Sequence, residues 1–132
     1  EPLKAVFPEG DPRYVHAKMA ILFSGIANDT PLEQWLSESY KIVDHFEFPD
    51  HHFFSDRDMA RIDDAARYTP TSVVITTEKD AQRMRDSLSE DKVSSLKVSD
   101  DLRRRTFYAP IRTVMLTANE QNVFKDFLTA LK

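Results

Sequence analysis

The chain reads as an α/β domain: a mostly parallel sheet flanked by helices on both faces, a Rossmann-like three-layer arrangement. Three observations predict this. Short apolar runs at Met19–Ser24, Ile42–Phe48 and Ser72–Thr76 suit strands buried on both faces. Each is followed by a stretch with helical signals. Strands that alternate with helices in this way assemble into parallel sheets covered by their crossovers.

The elements follow in order. Residues 1–17 are rich in Pro, Gly and charge (Pro2, Pro8, Gly10, Asp11, Pro12) and read as a linker or hinge arm. Residues 18–132 form the domain. Met19–Ser24 is the first strand and ends at Gly25. Thr30-Pro31-Leu32-Glu33 reads as a capping box with Pro at the first helical position. The helix it opens carries Leu32, Trp35 and Leu36 on one face. Ile42–Phe48 is the second strand, and strict alternation puts Ile42, Phe46 and Phe48 on one face and His45 on the other. Pro49 stops it, having no N–H for the ladder. Ser55 and Asp58 cap a second helix, with Met59, Ile62, Ala65 and Ala66 inward and Pro70 beyond its end. Ser72–Thr76 is a β-branched strand. A helix is expected from Glu78 to Leu88, then a strand-like run from Thr106 to Leu116 interrupted by Pro110. Asn119 caps a last helix with Val123, Phe124, Phe127, Leu128 and Leu131 as its apolar stripe.

The whole chain narrows the function classes. Its 132 residues suffice for one domain with a real core. Net charge is −4, which argues against a nucleic-acid surface. The dense basic run Arg103-Arg104-Arg105 reads as a solvated turn or ion-pairing surface. There are no cysteines, so disulfides and thiolate metal sites are excluded. No apolar run is long enough to span a membrane, so the piece is expected to be soluble. The chain does not begin with Met, as expected of a piece cut from something longer. With only two glycines it contains no GxxxxGK[ST] phosphate loop.

In a parallel sheet all strands end on one edge, so three polar loops should share one rim. They are Gly25-Ile26-Ala27-Asn28, Pro49-Asp50-His51-His52 and Thr76-Thr77-Glu78-Lys79-Asp80. Ligands bind at that edge in open α/β sheets. Asp50, His51 and His52 together can move protons or bind metal. The plainer reading is that Asp50 caps the loop and both rings are solvated. Adjacent residues in an extended loop point apart, so His51 and His52 do not easily share one ion, and one of them faces the site. Thr77, Glu78 and Asp80 suit the start of a helix as caps and dipole partners. Their functional reading is one wall of a nucleotide or phosphate site, with Lys79 as a point charge and Gly25 and Asn28 on the neighbouring loop. Gly25 allows either a positive φ or a close backbone approach. His45 reads as structural.

Three blocks carry a family resemblance: Phe23-Ser24-Gly25-Ile26-Ala27-Asn28, Phe48-Pro49-Asp50-His51-His52 followed by Ser55 and Asp58, and Val74-Ile75-Thr76-Thr77-Glu78-Lys79-Asp80-Ala81. In this order and spacing they resemble the C-terminal half of the tetraacyldisaccharide 4′-kinases, the lipid A 4′-kinases, over about residues 18–130. The doubled His and the Thr-Thr-Glu-Lys-Asp block resemble the Bacteroidetes branch. The resemblance implies an enzyme that moves the ATP γ-phosphate to the 4′-hydroxyl of a tetraacyl disaccharide 1-phosphate. That reaction takes place at the cytoplasmic face of the bacterial inner membrane. It also implies an N-terminal lobe carrying the phosphate loop, the Mg²⁺ site and a membrane-associating helix. This chain would then be the acceptor-side lobe. It would bind no ATP or Mg²⁺ of its own and be inactive alone. Its partners would be the missing lobe and the lipid, and not nucleic acid. The family uses an Asp–His pair at the hydroxyl. Its His matches His51, while its carboxylate lies in the absent half and Asp50 is a catalytic-loop neighbour. The rival readings are a metal-dependent phosphoesterase using Asp50, His51 or His52, and a non-catalytic interaction module.

Overall fold

The computed structural model describes residues 3–87 and 96–110. Five strands form one sheet: β1 (Lys4–Ala5), β2 (Met19–Ser24), β3 (Lys41–Glu47), β4 (Val73–Thr77) and β5 (Thr106–Ala109). Their spatial order is β1-β5-β4-β2-β3. β2 to β5 run parallel, and β1 pairs antiparallel with β5 at the edge. The helices are α1 (Thr30–Leu36), α2 (Asp56–Tyr68), α3 (Glu78–Ser87) and α4 (Asp100–Arg105). The expected helix after Asn119, and the expected strand beyond Pro110, lie outside the described residues.

Side-chain alternation along the strands builds two apolar layers. Ala20, Leu22, Val73, Ile75, Phe107 and Ala109 pack with Leu32 and Leu36 of α1. Ile21, Phe23 and Val74 pack with Met59, Ile62 and Ala66 of α2, Ala81 and Met84 of α3, and Leu102 of α4. Each large apolar side chain buried this way contributes about 1.5–3 kcal/mol. This is the three-layer α/β fold that the strand–helix alternation predicts.

Four local features go beyond the reading of the sequence. The Pro- and Gly-rich start lies on the sheet. Lys4–Ala5 extends it, and Leu3, Val6 and Phe7 are buried. Strand β3 contains a bulge: Ala20 faces Ile42 but Ile21 faces Asp44, which leaves Val43 as the extra residue. The bulge breaks the expected phase. Ile42 joins the layer of α1, while Phe46 and Phe48 join the opposite one. The cap of α1 is Asp29 rather than Thr30. Asp29 makes no side-chain capping bond, and Asn28 Oδ1 accepts the Thr30 N–H instead. The basic run is not a solvated turn but pairs with acids as the other reading had it: it forms α4, Arg103 faces Glu9, Arg104 and Arg105 face Asp101, and Arg105 is only 1% exposed. The Arg105 guanidinium donates to the carbonyls of Ala66, Thr69 and Ser72 and to Asp101. Among the described residues no helix is long and apolar enough to cross a membrane.

Candidate active site

β2, β3 and β4 end on one edge, and the loops that follow them meet there. β2 leads to β3 on one side of the sheet, and β3 leads back past β2 to β4 on the other. The crevice at such a switch of direction is where open α/β sheets take ligands. Backbone bonds stitch the rim together. The Gly25 N–H donates to Asp80 Oδ2 at 2.9 Å, and the His51 N–H donates to the Gly25 carbonyl at 3.0 Å.

Asp80 is the hub of this rim. It is fully buried, and a buried carboxylate is tolerated only when partnered. Besides Gly25, it accepts from Thr77 Oγ1 at 2.7 Å and from Arg83 Nη1 at 2.9 Å. Its own N–H returns a bond to Thr77 Oγ1 at 3.0 Å, which closes the first turn of α3. Gly25 has no positive φ, so its requirement is close approach. An added Cβ would lie 3.2 Å from the His52 Cβ and 3.3 Å from both Asp80 Oδ1 and the Pro49 carbonyl.

The loop after β3 is a tight turn, with the His52 N–H donating to the Pro49 carbonyl at 3.1 Å. Its third residue, His51, has φ 61°, in the left-handed region usually left to Gly or Asn. The strained backbone presents an exposed imidazole at the tip of the rim. Arg83 holds that ring. Its Nη2 donates to His51 Nδ1 at 3.1 Å, while Nη1 grips Asp80 and the Gly25 carbonyl. Asp50 Oδ2 is 3.5 Å from His51 Nε2.

The neighbouring histidine does different work. His52 turns inward, stacks on Phe48 with ring centroids 4.7 Å apart, and places Nε2 2.7 Å from Asp58 Oδ2. Asp58 also takes the Ser55 N–H, completing the capping box of α2. Burial pushes the Asp58 carboxyl up, but the bonds from His52 and Ser55 outweigh it and hold its pKa below the usual carboxylate value. Asp50, His51 and His52 therefore do not converge on one point.

A second polar cluster lies beyond β2 and β3. Buried Asp29 accepts from the Ser24 hydroxyl, and its Oδ2 is 2.7 Å from His45 Nε2. The other ring nitrogen of His45 lies 3.3 Å from Glu33. Burial disfavours charge on this ring. The Asp29 hydrogen bond and the carboxylates of Asp29, Glu33 and Glu47 outweigh it, so the His45 pKa is raised. Asp29, His45 and Glu47 also bring three potential metal-ligand atoms within 4.8 Å of one another. Both ring nitrogens of His45 already face carboxylates, which is how an imidazolium is held.

Of the residues singled out in the sequence, the structure brings Gly25, His51, Thr77 and Asp80 into one connected group, with Asp50 beside it. Glu78 and Lys79 are half-buried in the first turn of α3, and Asn28 sits at the start of α1. Arg83 was missed, although its i, i+3 spacing from Asp80 on a helix was a usable signal. Asp29 was missed as well, because its pairing with His45 depends on the bulge.

Three comparisons bear on what this rim belongs to. The family model for tetraacyldisaccharide-1-P 4′-kinase matches residues 3–129. A tetraacyldisaccharide 4′-kinase of Parabacteroides distasonis is 46% identical over 68 residues, covering 50% of this chain and 18% of that protein. One of Flavobacterium johnsoniae is 29% identical over 118 residues, covering 89% of this chain and 29% of that protein. Both organisms fit the Bacteroidetes-type blocks. The chain thus spans less than a third of the length of these relatives. No solved structure matches it.

Proposed function

The chain belongs to the tetraacyldisaccharide-1-P 4′-kinase family, and from that premise we propose that it is the acceptor-side lobe of a lipid A 4′-kinase. The complete enzyme would phosphorylate the 4′-hydroxyl of a tetraacyl disaccharide 1-phosphate at the cytoplasmic face of the inner membrane. The observation that carries this reading is His51, held exposed at φ 61° over the switch of the sheet. A strained residue fixed at a rim suits a group that must meet a substrate.

Among the described residues, the two rim donors nearest a phosphate position already have a partner. The Gly25 N–H and the Thr77 hydroxyl are both spent on Asp80, whose own carboxylate would repel a phosphate. In this reading ATP and Mg²⁺ would be held by a second, phosphate-loop lobe, which would supply the γ-phosphoryl group. This lobe contributes the acceptor side, with His51 at the hydroxyl and Asp50, Gly25, Asn28, Thr77, Glu78, Lys79 and Asp80 forming or supporting the facing wall. Phosphoryl transfer depends mostly on positioning and charge neutralisation, so one lobe without the other should not turn over ATP.

The test is steady-state kinase kinetics on the full-length protein with His51→Ala. A fall in kcat of about 10²–10⁴-fold, with little change in KM, is expected for the loss of a side chain that acts at the reacting hydroxyl. A kcat near that of the wild type would sink the assignment. A phosphoesterase built on Asp50, His51 and His52 has less support, because those side chains diverge.

A further inference from the structure

We propose that Arg83 is the positioning residue for His51, and that it makes His51 a hydrogen-bond donor through Nε2 rather than a base. The inference rests on the reading of His51 given above and adds to it the form in which the ring works. A guanidinium can only donate. With Arg83 Nη2 3.1 Å from His51 Nδ1, that nitrogen must be the acceptor and carry no proton. In the neutral ring the single proton is then on Nε2. The nitrogen pointing away from Arg83 offers an N–H and has no lone pair to take a proton from a hydroxyl.

The guanidinium is itself fixed. Nη1 is bonded to the fully buried carboxylate of Asp80 at 2.9 Å and to the Gly25 carbonyl at 3.2 Å. Asp80 is fixed in turn by Gly25 and Thr77. The His51 N–H is bonded to the same Gly25 carbonyl that Arg83 grips. Ring and guanidinium are therefore registered to one shared atom. A chain of bonds runs from the core of the sheet to the rim: Asp80 sets Arg83, and Arg83 sets the tautomer and direction of His51. Such chains orient imidazoles wherever one nitrogen must face a reacting group. In this structure the Nε2–H faces Asp50 Oδ2 at 3.5 Å, and in the assembled enzyme it would turn to an oxygen at the acceptor hydroxyl.

Two measurements on the full-length protein test this. The first is ¹⁵N NMR of histidine-labelled protein, with the His51 signals assigned by their loss in His51→Gln. The wild type should show an unprotonated Nδ1 and a protonated Nε2, and Arg83→Lys should mix or invert the two tautomers. A protonated Nδ1 in the neutral wild-type ring would overturn the proposal, whatever the enzyme's activity. The second is a kinetic cycle of Arg83→Lys, His51→Ala and the double variant. Lysine keeps a cation for Asp80 but lacks the fork that reaches both Asp80 and His51, so the fold should survive. Arg83→Lys should lower kcat about 10–100-fold, as misplacing a catalytic group does, with KM little changed. It should cost nothing further once His51 is gone. His51→Gln, which keeps an N–H donor, should retain more kcat than His51→Ala. Independent, multiplying losses from Arg83 and His51 would overturn the proposal. Wild-type kcat in His51→Ala alongside the expected tautomer would instead sink the kinase-site reading and leave Arg83's control of the ring standing.

Discussion

At the scale of the residue, the rim shows how three loops come to share one point. Gly25 is the contact through which all three touch: Asp80 takes its N–H, while His51 and Arg83 bond to its carbonyl. A side chain there would meet atoms that cannot withdraw. The Pro49 carbonyl is backbone, and Asp80 is held by three further bonds, two with the Thr77 hydroxyl and one with Arg83. Gly25→Ala should therefore destabilise the protein by about 1–3 kcal/mol, as overpacking of a tight site does. A urea midpoint equal to that of the wild type, with the slope unchanged, would show that the loops can part at no cost. The residue types of this site were readable in the sequence, because Gly, Pro, His and a helix-starting Thr each have local physics. Their partners were not. Asp80 looked like a dipole partner for its own helix, and nothing local says that its carboxylate reaches back 55 positions to Gly25.

At the scale of the element, Arg105 ties the short helix α4 to the end of α2 and the start of β4. Arg105 satisfies the carbonyls of Ala66 and Thr69 at the end of α2, and that of Ser72 just before β4. It thereby supplies partners for carbonyls that a helix end leaves open. Asp101 balances its charge at 2.8 Å. Replacing Arg105 with Met keeps the bulk but removes its donors from the Ala66 and Ser72 carbonyls, while the Thr69 carbonyl keeps the Ser72 N–H and hydroxyl. A loss of about 3–5 kcal/mol is expected, the scale for removing one partner of a buried charged network. Arg105→Lys should recover part of it. Thermal melts showing Arg105→Met within experimental error of the wild type would disprove this pinning role. The same element shows why sequence patterning reaches strands and long helices more easily than connections. The capping box of Ser55 and the β-branched run at β4 are local signals, and both elements formed as read. A row of three arginines looks like solvated charge until the fold buries the third. The bulge in β3 is similar: a single extra residue, Val43, carries no composition signal, yet it moves Ile42 into the layer of α1.

At the scale of the whole molecule, two His–carboxylate contacts, His45 with Asp29 and His52 with Asp58, contribute to how stability follows pH in opposite directions. His45 sits between Asp29 and Glu33 with its pKa raised from the ordinary 6.5. A raised folded pKa means that the native state holds its proton more tightly than the unfolded chain. That stabilisation is complete below 6.5 and is lost as pH rises through the folded value. Asp58, beside His52, has its pKa lowered from 3.8. Its contribution is complete above 3.8 and is lost as pH falls through the folded value. The two pairs together predict greatest stability in the mildly acidic range between those limits, with an alkaline-side decline that belongs to His45. His45→Gln keeps a polar side chain there but cannot titrate. Melting temperatures measured across pH 5 to 9, a window chosen to bracket the ordinary imidazole value, should fall with rising pH in the wild type. In His45→Gln that portion of the curve should flatten. An unchanged alkaline slope in His45→Gln would mean that the cluster of Asp29, Glu33, Glu47 and Ser24 does not hold the His45 proton in the folded protein. His45 would then be a neutral imidazole hydrogen-bonded to Asp29, and the end of β3 would owe its order to packing by Phe46 and Phe48 instead.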